Sequence, residues 1–224
     1  YLHPYKVQIK KTVLLFYYRK FIQQEIIEDD NMLCLLLIKK PANDISGINQ
    51  ITILTSPTPD GQDFSCKHDC FYCPNEPAHE GNNWTPQPRS YLSKEPAVQR
   101  ANRNKFDPYL QTKSRLDSLL VCGHKCDKLE FILEGGTFTE YPKAYLKNYF
   151  AQFIYCVNMY FEPTKRAIST LEEEIKFNKT SKSRIIGICI ETRPDAILEK
   201  DEDGIPWIET LLNWGVTRIQ LGLQ

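Results

Sequence analysis

Hydrophobic positions along the chain follow two periods, one typical of helices and one typical of buried strands. From Leu14 to Ile26 apolar residues recur at helical spacing, which predicts an amphipathic helix that polar residues 29–31 should end. Four short apolar or β-branched runs predict strands at residues 48–55, 128–133, 185–190 and 217–221. The pattern therefore predicts a helix followed by a set of strands.

Helix start signals occupy the intervals between these strands. Pro96 opens one helix, and Asp107 followed by Pro108 caps a second that should end near Gly123. Strands that alternate with helices predict an α/β fold with a parallel sheet of about four β/α units. The further predicted helices cover residues 142–153, 167–177 and 206–214.

The composition is that of an ordinary globular protein. Of 224 residues, 42% are hydrophobic and 25% are charged, and the apolar runs are too short to span a bilayer. Eight cysteines without an export signal favour reduced thiols over a disulfide framework. We therefore expect a cytoplasmic protein, with the nucleus as the alternative, and no membrane partner.

Charge is distributed unevenly although the net charge is zero. Residues 89–128 carry nine Lys or Arg against four Asp or Glu, whereas residues 42–88 carry one against six. A basic belt of this kind can meet a phosphate backbone. It can equally be the solvated face of a helix, and charge alone does not decide between the two.

Three cysteines in the stretch SCKHDCFYCP, residues 65–74, are the main candidates for reactive chemistry. Cys66, Cys70 and Cys73 have C-x3-C-x2-C spacing in a loop after the first predicted strand, so their thiolates can converge on one inorganic group. A structural zinc site uses four protein ligands, whereas an iron–sulfur cluster held by three cysteines keeps one iron for a small molecule. The spacing alone also allows unliganded thiols, or a zinc site completed from among His68, His79, Cys122 and Cys126.

Two further stretches belong to the expected active face of the sheet. The second predicted strand runs into Gly135 and Gly136, where a ligand can approach the backbone closely, although a glycine pair is also common in plain turns. Glu191 and Arg193 follow the third strand, at the end where parallel β/α folds build their chemistry.

Residues 74–96 form a long irregular segment of the kind that covers functional sites.

With these residues identified, the chain resembles the radical S-adenosylmethionine (SAM) region of the catalytic subunit of Elongator, a family of enzymes that modify the wobble uridine of tRNA. The resemblance covers most of residues 39–224. It rests on KKPANDISGI at 39–48, CFYCP at 70–74, SYLSKEPAVQRANRNKFDPYLQT at 90–112, GHKCDKLEFILEGGTF at 123–138, GICIETRPD at 187–195 and WGVTRIQLGLQ at 214–224. It implies a partial parallel β/α barrel of the radical SAM type.

The resemblance also implies cofactors and site residues. Cys66, Cys70 and Cys73 match the ligands of a [4Fe-4S] cluster whose remaining iron binds SAM. Lys128 matches a lysine that contacts the substrate acetyl-CoA. The positions that match SAM-binding residues of the family are Gly135, Gly136, Thr137, Glu191 and Gln224.

The implied reaction transfers a carboxymethyl group, derived from acetyl-CoA, to the wobble uridine of tRNA. A deoxyadenosyl radical produced from SAM would remove a hydrogen atom from the acetyl methyl group. The implied partners are tRNA and either accessory Elongator-type subunits or a second copy of the chain. The basic residues expected to hold the tRNA backbone are Arg100, Arg103, Lys105, Lys113 and Arg115.

The chain departs from the family pattern at two places. Asn43 stands where arginine is usual, and Asn75 and Glu76 stand where the family has two glycines after Pro74. We expect residues 1–40 to form an amino-terminal helical segment, a candidate for tRNA contact, and residues 41–224 to form the partial radical SAM domain, without the acetyltransferase domain of the family. The alternatives are a non-catalytic tRNA-binding or scaffold remnant and a zinc-stabilised nucleic-acid-binding module.

Overall fold

Among the residues that the structure describes, four strands form one sheet in which they lie side by side in chain order. The computed structural model describes residues 9–38, 46–60 and 62–223. β3 runs parallel to both β2 and β4. The predicted α/β fold with a parallel four-stranded sheet is therefore confirmed. The strands are β1 (Asn49–Leu54), β2 (Lys128–Glu134), β3 (Arg184–Thr192) and β4 (Arg218–Leu221).

The described residues group into two compact units. The first contains the described residues up to 49 together with 115–126. The second contains the described residues of 50–114 and those from 127 onward, and it includes most of the sheet. The predicted domain boundary between residues 40 and 41 lies outside the described residues, and it stays a prediction.

Two helices open the first unit. They are α1 (Lys11–Gln23) and α2 (Asn31–Leu37). α1 ends earlier than predicted, and Glu25 just beyond it adopts a left-handed backbone with φ of 57°. Asp30, expected to end the first helix, instead begins α2, because its carboxylate accepts hydrogen bonds from two backbone N–H groups of the first turn.

The helices between the strands begin close to the predicted positions. Pro96 opens α3, and the Asp107 carboxylate accepts a hydrogen bond of 2.7 Å from the backbone N–H of Leu110 in α4. No described helix combines the length and the apolarity needed to cross a membrane. The helices are α3 (Pro96–Arg103), α4 (Pro108–Val121), α5 (Lys143–Met159), α6 (Leu171–Asn178) and α7 (Trp207–Asn213).

α6 begins later than the hydrophobic pattern predicts. The Thr170 hydroxyl accepts a hydrogen bond from the backbone N–H of Glu173, and the Glu173 carboxylate accepts one from the backbone N–H of Thr170. This reciprocal capping box fixes the helix start at Leu171. The apolar residue Ile168 lies before the cap and is exposed, so its place in the sequence pattern does not reflect a helical face.

Aromatic side chains of α5 fill the core against the sheet. The ring of Phe153 stacks on that of Phe131 in β2 at a centroid distance of 4.8 Å, and Phe150 lies 5.3 Å from Trp214. All four side chains are buried. Such rings contribute large buried areas and dominate the energetics of a core, so this packing holds α5 against the sheet.

Phe153→Ala should lower the free energy of unfolding by about 3–5 kcal/mol, because it removes a fully buried ring and leaves a cavity against β2. Urea unfolding of the full chain, followed by far-UV circular dichroism, measures this value. The control is Leu212→Ala, at a side chain of α7 that is 69% exposed, where the change should stay within about 0.5 kcal/mol. Similar losses in both variants would contradict the packing described.

Candidate active site

One cavity lies where the cysteine loop (residues 65–74) meets the residues that follow the parallel strands. Its volume is about 320 Å³. Strand ends of this kind are where parallel β/α folds assemble catalytic groups. The lining residues come from the cysteine loop, from residues 89–91, 135–137 and 191–193, and from residues 220–222.

All three loop cysteines line this cavity, and none forms a disulfide. The Cys66 thiol is buried and lies 3.3 Å from the Thr137 hydroxyl. The Cys70 thiol lies 3.7 Å from the Arg193 guanidinium. The backbone N–H of Cys73 donates a 3.0 Å hydrogen bond to the carbonyl of Cys70, which closes a turn between them. The structure thus brings the predicted thiols to one cavity.

The glycine pair after β2 allows the cysteine loop to approach the sheet. A Cβ atom on Gly136 would lie 2.0 Å from the carbonyl oxygen of Ser65, and one on Gly135 would lie 2.0 Å from the hydroxyl of Thr55. Neither distance is compatible with a side chain. Gly136 is therefore required for the close approach of the loop backbone and Gly135 for that of the Thr55 side chain, and both line the cavity together with Thr137.

Glu140 holds the inner half of the cysteine loop. Its carboxylate is almost fully buried, accepts a 3.3 Å hydrogen bond from the backbone N–H of Lys67, and lies 2.6 Å from Nε2 of His68. Further along the loop, the Asp69 carboxylate forms a 3.1 Å ion pair with Arg89, and the side chain of Phe71 is fully exposed. Charged partners therefore hold the loop at residues 67–69, whereas Phe71 faces solvent.

Cys66, Cys70 and Cys73 fit the ligands of an iron–sulfur cluster in residue type, and they line the same cavity. In the described part of the chain, however, no three His, Cys, Asp or Glu side chains are gathered closely enough to hold a metal ion. Of the alternative zinc ligands, His68 also lines the cavity and pairs with Glu140, and His79 pairs with Glu76. Cys122 and Cys126 are residues of the first unit.

Glu191 lines the cavity as the sequence predicts, and three neighbours were missed. The hydroxyl of Tyr91 donates a 3.0 Å hydrogen bond to the Glu191 carboxylate. Gln220 of β4 is the register partner of Glu191 and also lines the cavity, as does Arg89. A polar residue in the last predicted strand was a signal for Gln220, whereas nothing local marks Tyr91 within its irregular segment.

Arg193 carries a positive charge to the rim of the cavity. It forms an ion pair of 2.7 Å with Asp195, and the hydrogen bond from Arg193 lowers the pKa of Asp195 to about 2. Asp195 therefore stays ionised at neutral pH and fixes the guanidinium beside Cys70. This pair, RPD in the sequence, links the residues after β3 to the cysteine loop.

Glu76, one of the departures from the family pattern, organises the irregular segment that follows the loop. Burial alone would raise the pKa of Glu76, but hydrogen bonds from Ser93, His79 and Asn82 outweigh it and lower the pKa to about 2. The backbone N–H of Ser93 donates to this carboxylate at 2.6 Å. Where glycine would leave this segment flexible, the Glu76 carboxylate holds it through hydrogen bonds.

Lys128 is not brought to this cavity. It begins β2, whereas the glycine pair follows the end of that strand, about 20 Å away at the rise of a strand. Lys128 instead lines a separate depression at the amino end of the sheet, together with Lys179 and Arg184. Gln224, the remaining predicted cofactor contact, lies outside the described residues.

The five basic residues predicted to meet tRNA differ in exposure, and none of these described residues lines the cavity. Arg100 is half-buried and donates to the carbonyl of Thr52 in β1, so its guanidinium serves the fold. Arg115 is also half-buried and belongs to the first unit. The exposed members are Arg103, Lys105 and Lys113.

Gly136→Ala should displace the cysteine loop, because its Cβ would overlap the Ser65 carbonyl. We expect the melting temperature to fall by about 2–10 °C and Cys66 to become reactive toward a thiol reagent, with the site located by mass spectrometry. The control is Gly187→Ala, where the nearest atom, the Thr217 hydroxyl, lies 3.3 Å away. A buried and unreactive Cys66 in the Gly136→Ala variant would contradict this account.

Glu134→Gln should flatten the dependence of stability on pH. Burial, together with the negative charges of Glu191 and Glu95, raises the pKa of Glu134 to about 7 from its ordinary value of 4.5. The folded chain therefore binds more protons than the unfolded chain between these values, and its free energy of unfolding falls as pH rises through them. The shift corresponds to about 3 kcal/mol, which partial solvation reduces to about 1–2 kcal/mol.

Urea unfolding at pH 5 and pH 8 tests this expectation, with the surface variant Glu80→Gln as the control. The Glu134→Gln variant should lose less stability between the two pH values than the unmodified chain. A loss as large as that of the unmodified chain would show that Glu134 does not carry the effect.

Sequence comparison connects the chain with named proteins, although no protein-family model matches it. It is 37% identical over 194 residues to tRNA uridine(34) acetyltransferase of Methanocaldococcus infernus, covering 84% of this chain and 32% of that protein. It is 33% identical over 191 residues to Elongator complex protein 3 of Drosophila melanogaster, covering 83% and 31%. The corresponding human protein is 32% identical over 191 residues, covering 83% and 31%.

A solved structure agrees with these matches. The archaeal Methanocaldococcus infernus Elp3 with an N-terminal deletion (1–46) superposes with a TM-score of 0.52 and 28% identity, covering 80% of this chain and 29% of that chain. The predicted fold class, a partial radical SAM barrel, is confirmed by this neighbour. The chain spans about a third of the length of the curated relatives it matches. The chain is thus a homologue of the tRNA uridine(34) acetyltransferases and of Elongator complex protein 3 over about one third of their length.

Proposed function

We propose that this chain carries the radical SAM portion of an enzyme that modifies the wobble uridine of tRNA. One observation carries the proposal: three thiols and a side-chain-free strand end line the same cavity. The relatives named tRNA uridine(34) acetyltransferase support tRNA as the substrate. The finer reaction is the transfer of a carboxymethyl group derived from acetyl-CoA to uridine.

Cys66, Cys70 and Cys73 would hold a [4Fe-4S] cluster. When bound, the cluster and SAM supply a deoxyadenosyl radical that can remove a hydrogen atom from a methyl group. In this chemistry, the residues of the chain would position the cluster and SAM and exclude water from the cavity. Glu140 would hold the loop at Lys67 and His68, next to Cys66, and Arg193 would hold it beside Cys70.

The strand ends would receive SAM. Gly135 and Gly136 expose backbone to the cavity, where the amino end of SAM would approach without a side chain in its path. Glu191 offers a carboxylate on the adjacent strand, and Thr137 lies beside Cys66. Gln224 remains a proposed contact, and Gln220 joins it because it lines the described cavity.

Lys128 would bind acetyl-CoA away from the reacting methyl group. Its position at the amino end of β2 separates it from the thiols, and two further cations, Lys179 and Arg184, share its depression. Positive charges suit phosphate groups, which acetyl-CoA carries. A role for Lys128 in holding the carrier portion is therefore consistent with its distance from the cavity.

The tRNA would be held by its backbone at the exposed basic residues Arg103, Lys105 and Lys113, with smaller contributions from Arg100 and Arg115. The target base would leave its stack to reach the cavity. Residues 1–40 are a further candidate contact for tRNA. We also propose a cytoplasmic location, with the nucleus as the alternative, and association with Elongator-type subunits or a second copy of the chain.

A non-catalytic tRNA-binding remnant of the same family is the second candidate. It is favoured by the departure from the family pattern at Asn75 and Glu76, because a fixed carboxylate stands after the cysteine loop in place of glycine. The two candidates differ in a measurable product, since the first cleaves SAM and the second does not. A zinc-stabilised nucleic-acid-binding module would also leave SAM intact, and it would contain zinc.

SAM cleavage by the full chain tests the proposal. Protein reconstituted anaerobically with iron and sulfide is incubated with SAM, dithionite, acetyl-CoA and tRNA, and 5′-deoxyadenosine and modified uridine are quantified by mass spectrometry. We expect deoxyadenosine from the unmodified chain, a loss of at least about 100-fold in Cys73→Ala because a cluster ligand is removed, and little change in Cys34→Ala, which lies in α2.

The outcomes separate the hypotheses. Absence of deoxyadenosine would contradict radical chemistry and favour the remnant. Deoxyadenosine without modified uridine would support the proposed SAM site and contradict the proposal that wobble uridine is the substrate. Equal activity of Cys73→Ala and the unmodified chain would remove the three-cysteine cluster from the account.

A further inference from the structure

Tyr91 occupies a fixed position at the end of the irregular segment that covers the cavity. The preceding residue, Ser90, adopts a left-handed backbone with φ of 81°, and its N–H donates a 3.0 Å hydrogen bond to the carbonyl of Pro74. Two residues after Tyr91, the backbone N–H of Ser93 donates a 2.6 Å hydrogen bond to the Glu76 carboxylate. A non-glycine residue keeps such a conformation when its surroundings determine it, so the chain on both sides of Tyr91 is held in place.

The ring of Tyr91 is seated on the protein interior. It packs against a buried cluster formed by Leu54 at the end of β1, Val98 and Ala101 of α3, and Phe106. An aromatic ring held on one side by packing has little freedom to rotate its hydroxyl away. The apolar contacts of the ring therefore determine where the hydroxyl of Tyr91 lies.

The hydroxyl of Tyr91 is bonded to one of the predicted SAM-binding residues. It donates a 3.0 Å hydrogen bond to Oε2 of Glu191. Tyr91, Glu191 and Gly135 all line the cavity. The irregular segment thus contributes one hydroxyl that contacts the carboxylate on β3.

The surroundings of Tyr91 keep its hydroxyl protonated, so that it donates the hydrogen bond to Glu191. Burial, with the negative charge of Glu191 next, raises the pKa of Tyr91, so the phenol stays protonated at neutral pH. A hydrogen bond from a neutral hydroxyl to a carboxylate is stronger than one between neutral groups. It engages one oxygen of Glu191 and fixes the plane of the carboxylate, which leaves the other oxygen for a ligand in the cavity.

We propose that Tyr91 is a positioning residue, which fixes the Glu191 carboxylate for the hydroxyl or ammonium donors of the molecule bound in this cavity. This inference rests on the proposed function, in which that molecule is SAM. Tyr91 acts through Glu191 and is not a catalytic residue. The segment from Glu76 to Ser93 thereby does more than cover the site, because it delivers the group that orients a ligand contact.

The opposing interpretation is that Tyr91 only fills space. Its ring packs on apolar residues, and a phenylalanine would preserve that packing. Tyr91→Phe therefore separates the two interpretations, because it removes one oxygen atom and leaves the ring. A residue that merely fills space should tolerate this change, whereas a positioning residue should not.

A double-mutant cycle on SAM affinity provides the test. The dissociation constant of SAM is measured by isothermal titration for the anaerobically reconstituted chain and for Tyr91→Phe, Glu191→Ala and the double variant. We expect Tyr91→Phe to weaken binding about tenfold, and to have no further effect once Glu191 is alanine. The matched control is Tyr109→Phe, a half-buried tyrosine outside the cavity, which should keep the unmodified affinity.

Two results would overturn the proposal: unchanged affinity in Tyr91→Phe, or single-variant effects that multiply in the double variant. Failure of the unmodified chain to bind SAM would instead contradict the proposed function. In that case, thermal unfolding of the same four proteins without cofactor tests whether Tyr91 and Glu191 are coupled. Melting-temperature losses that do not add would support the Tyr91–Glu191 coupling, and additive losses would overturn it.

Discussion

The close approach of the cysteine loop to the sheet is the constraint on which the site depends. Gly136 leaves room for the carbonyl of Ser65, and Gly135 leaves room for the hydroxyl of Thr55. A side chain at Gly136 would overlap the backbone of Ser65 and push the loop outward, whereas one at Gly135 would overlap Thr55, which follows β1. Gly136 thus allows Cys66 to lie against the residues after β2, and the packing of α5 on β2 supports the strand that precedes the glycine pair.

Charged groups then hold the loop from two sides. The buried Glu140 carboxylate binds the backbone of Lys67 and contacts His68, while Arg193, fixed by Asp195, reaches Cys70. Glu76 fixes the following segment. Both the first part of the loop and Cys70 therefore have charged partners that position the thiols around the cavity.

The sequence predicted the order of strands and helices because their signals are local: prolines and caps at helix starts, and apolar runs in strands. It also indicated residues that line the shared cavity, because these follow strands or stand at fixed spacing: Cys66, Cys70, Cys73, the glycine pair and Glu191. Tyr91 and the role of Glu76 could not be predicted, because both act through contacts between residues distant in the chain. α2 was missed because its cap, Asp30, reads equally well as the end of a helix. Lys128 shows the reverse: its match to the family gave no indication that it lies at the opposite end of β2 from the thiols.

The central claim is that three thiols of one loop hold a cluster and leave one iron for a ligand. Iron, acid-labile sulfide and zinc, measured per chain after anaerobic reconstitution of the unmodified protein and of a Cys66→Ala/Cys70→Ala/Cys73→Ala variant, test it most directly. The account predicts about four iron and four sulfide per unmodified chain, and neither in the variant. Zinc in place of iron, or equal iron in both proteins, would contradict it.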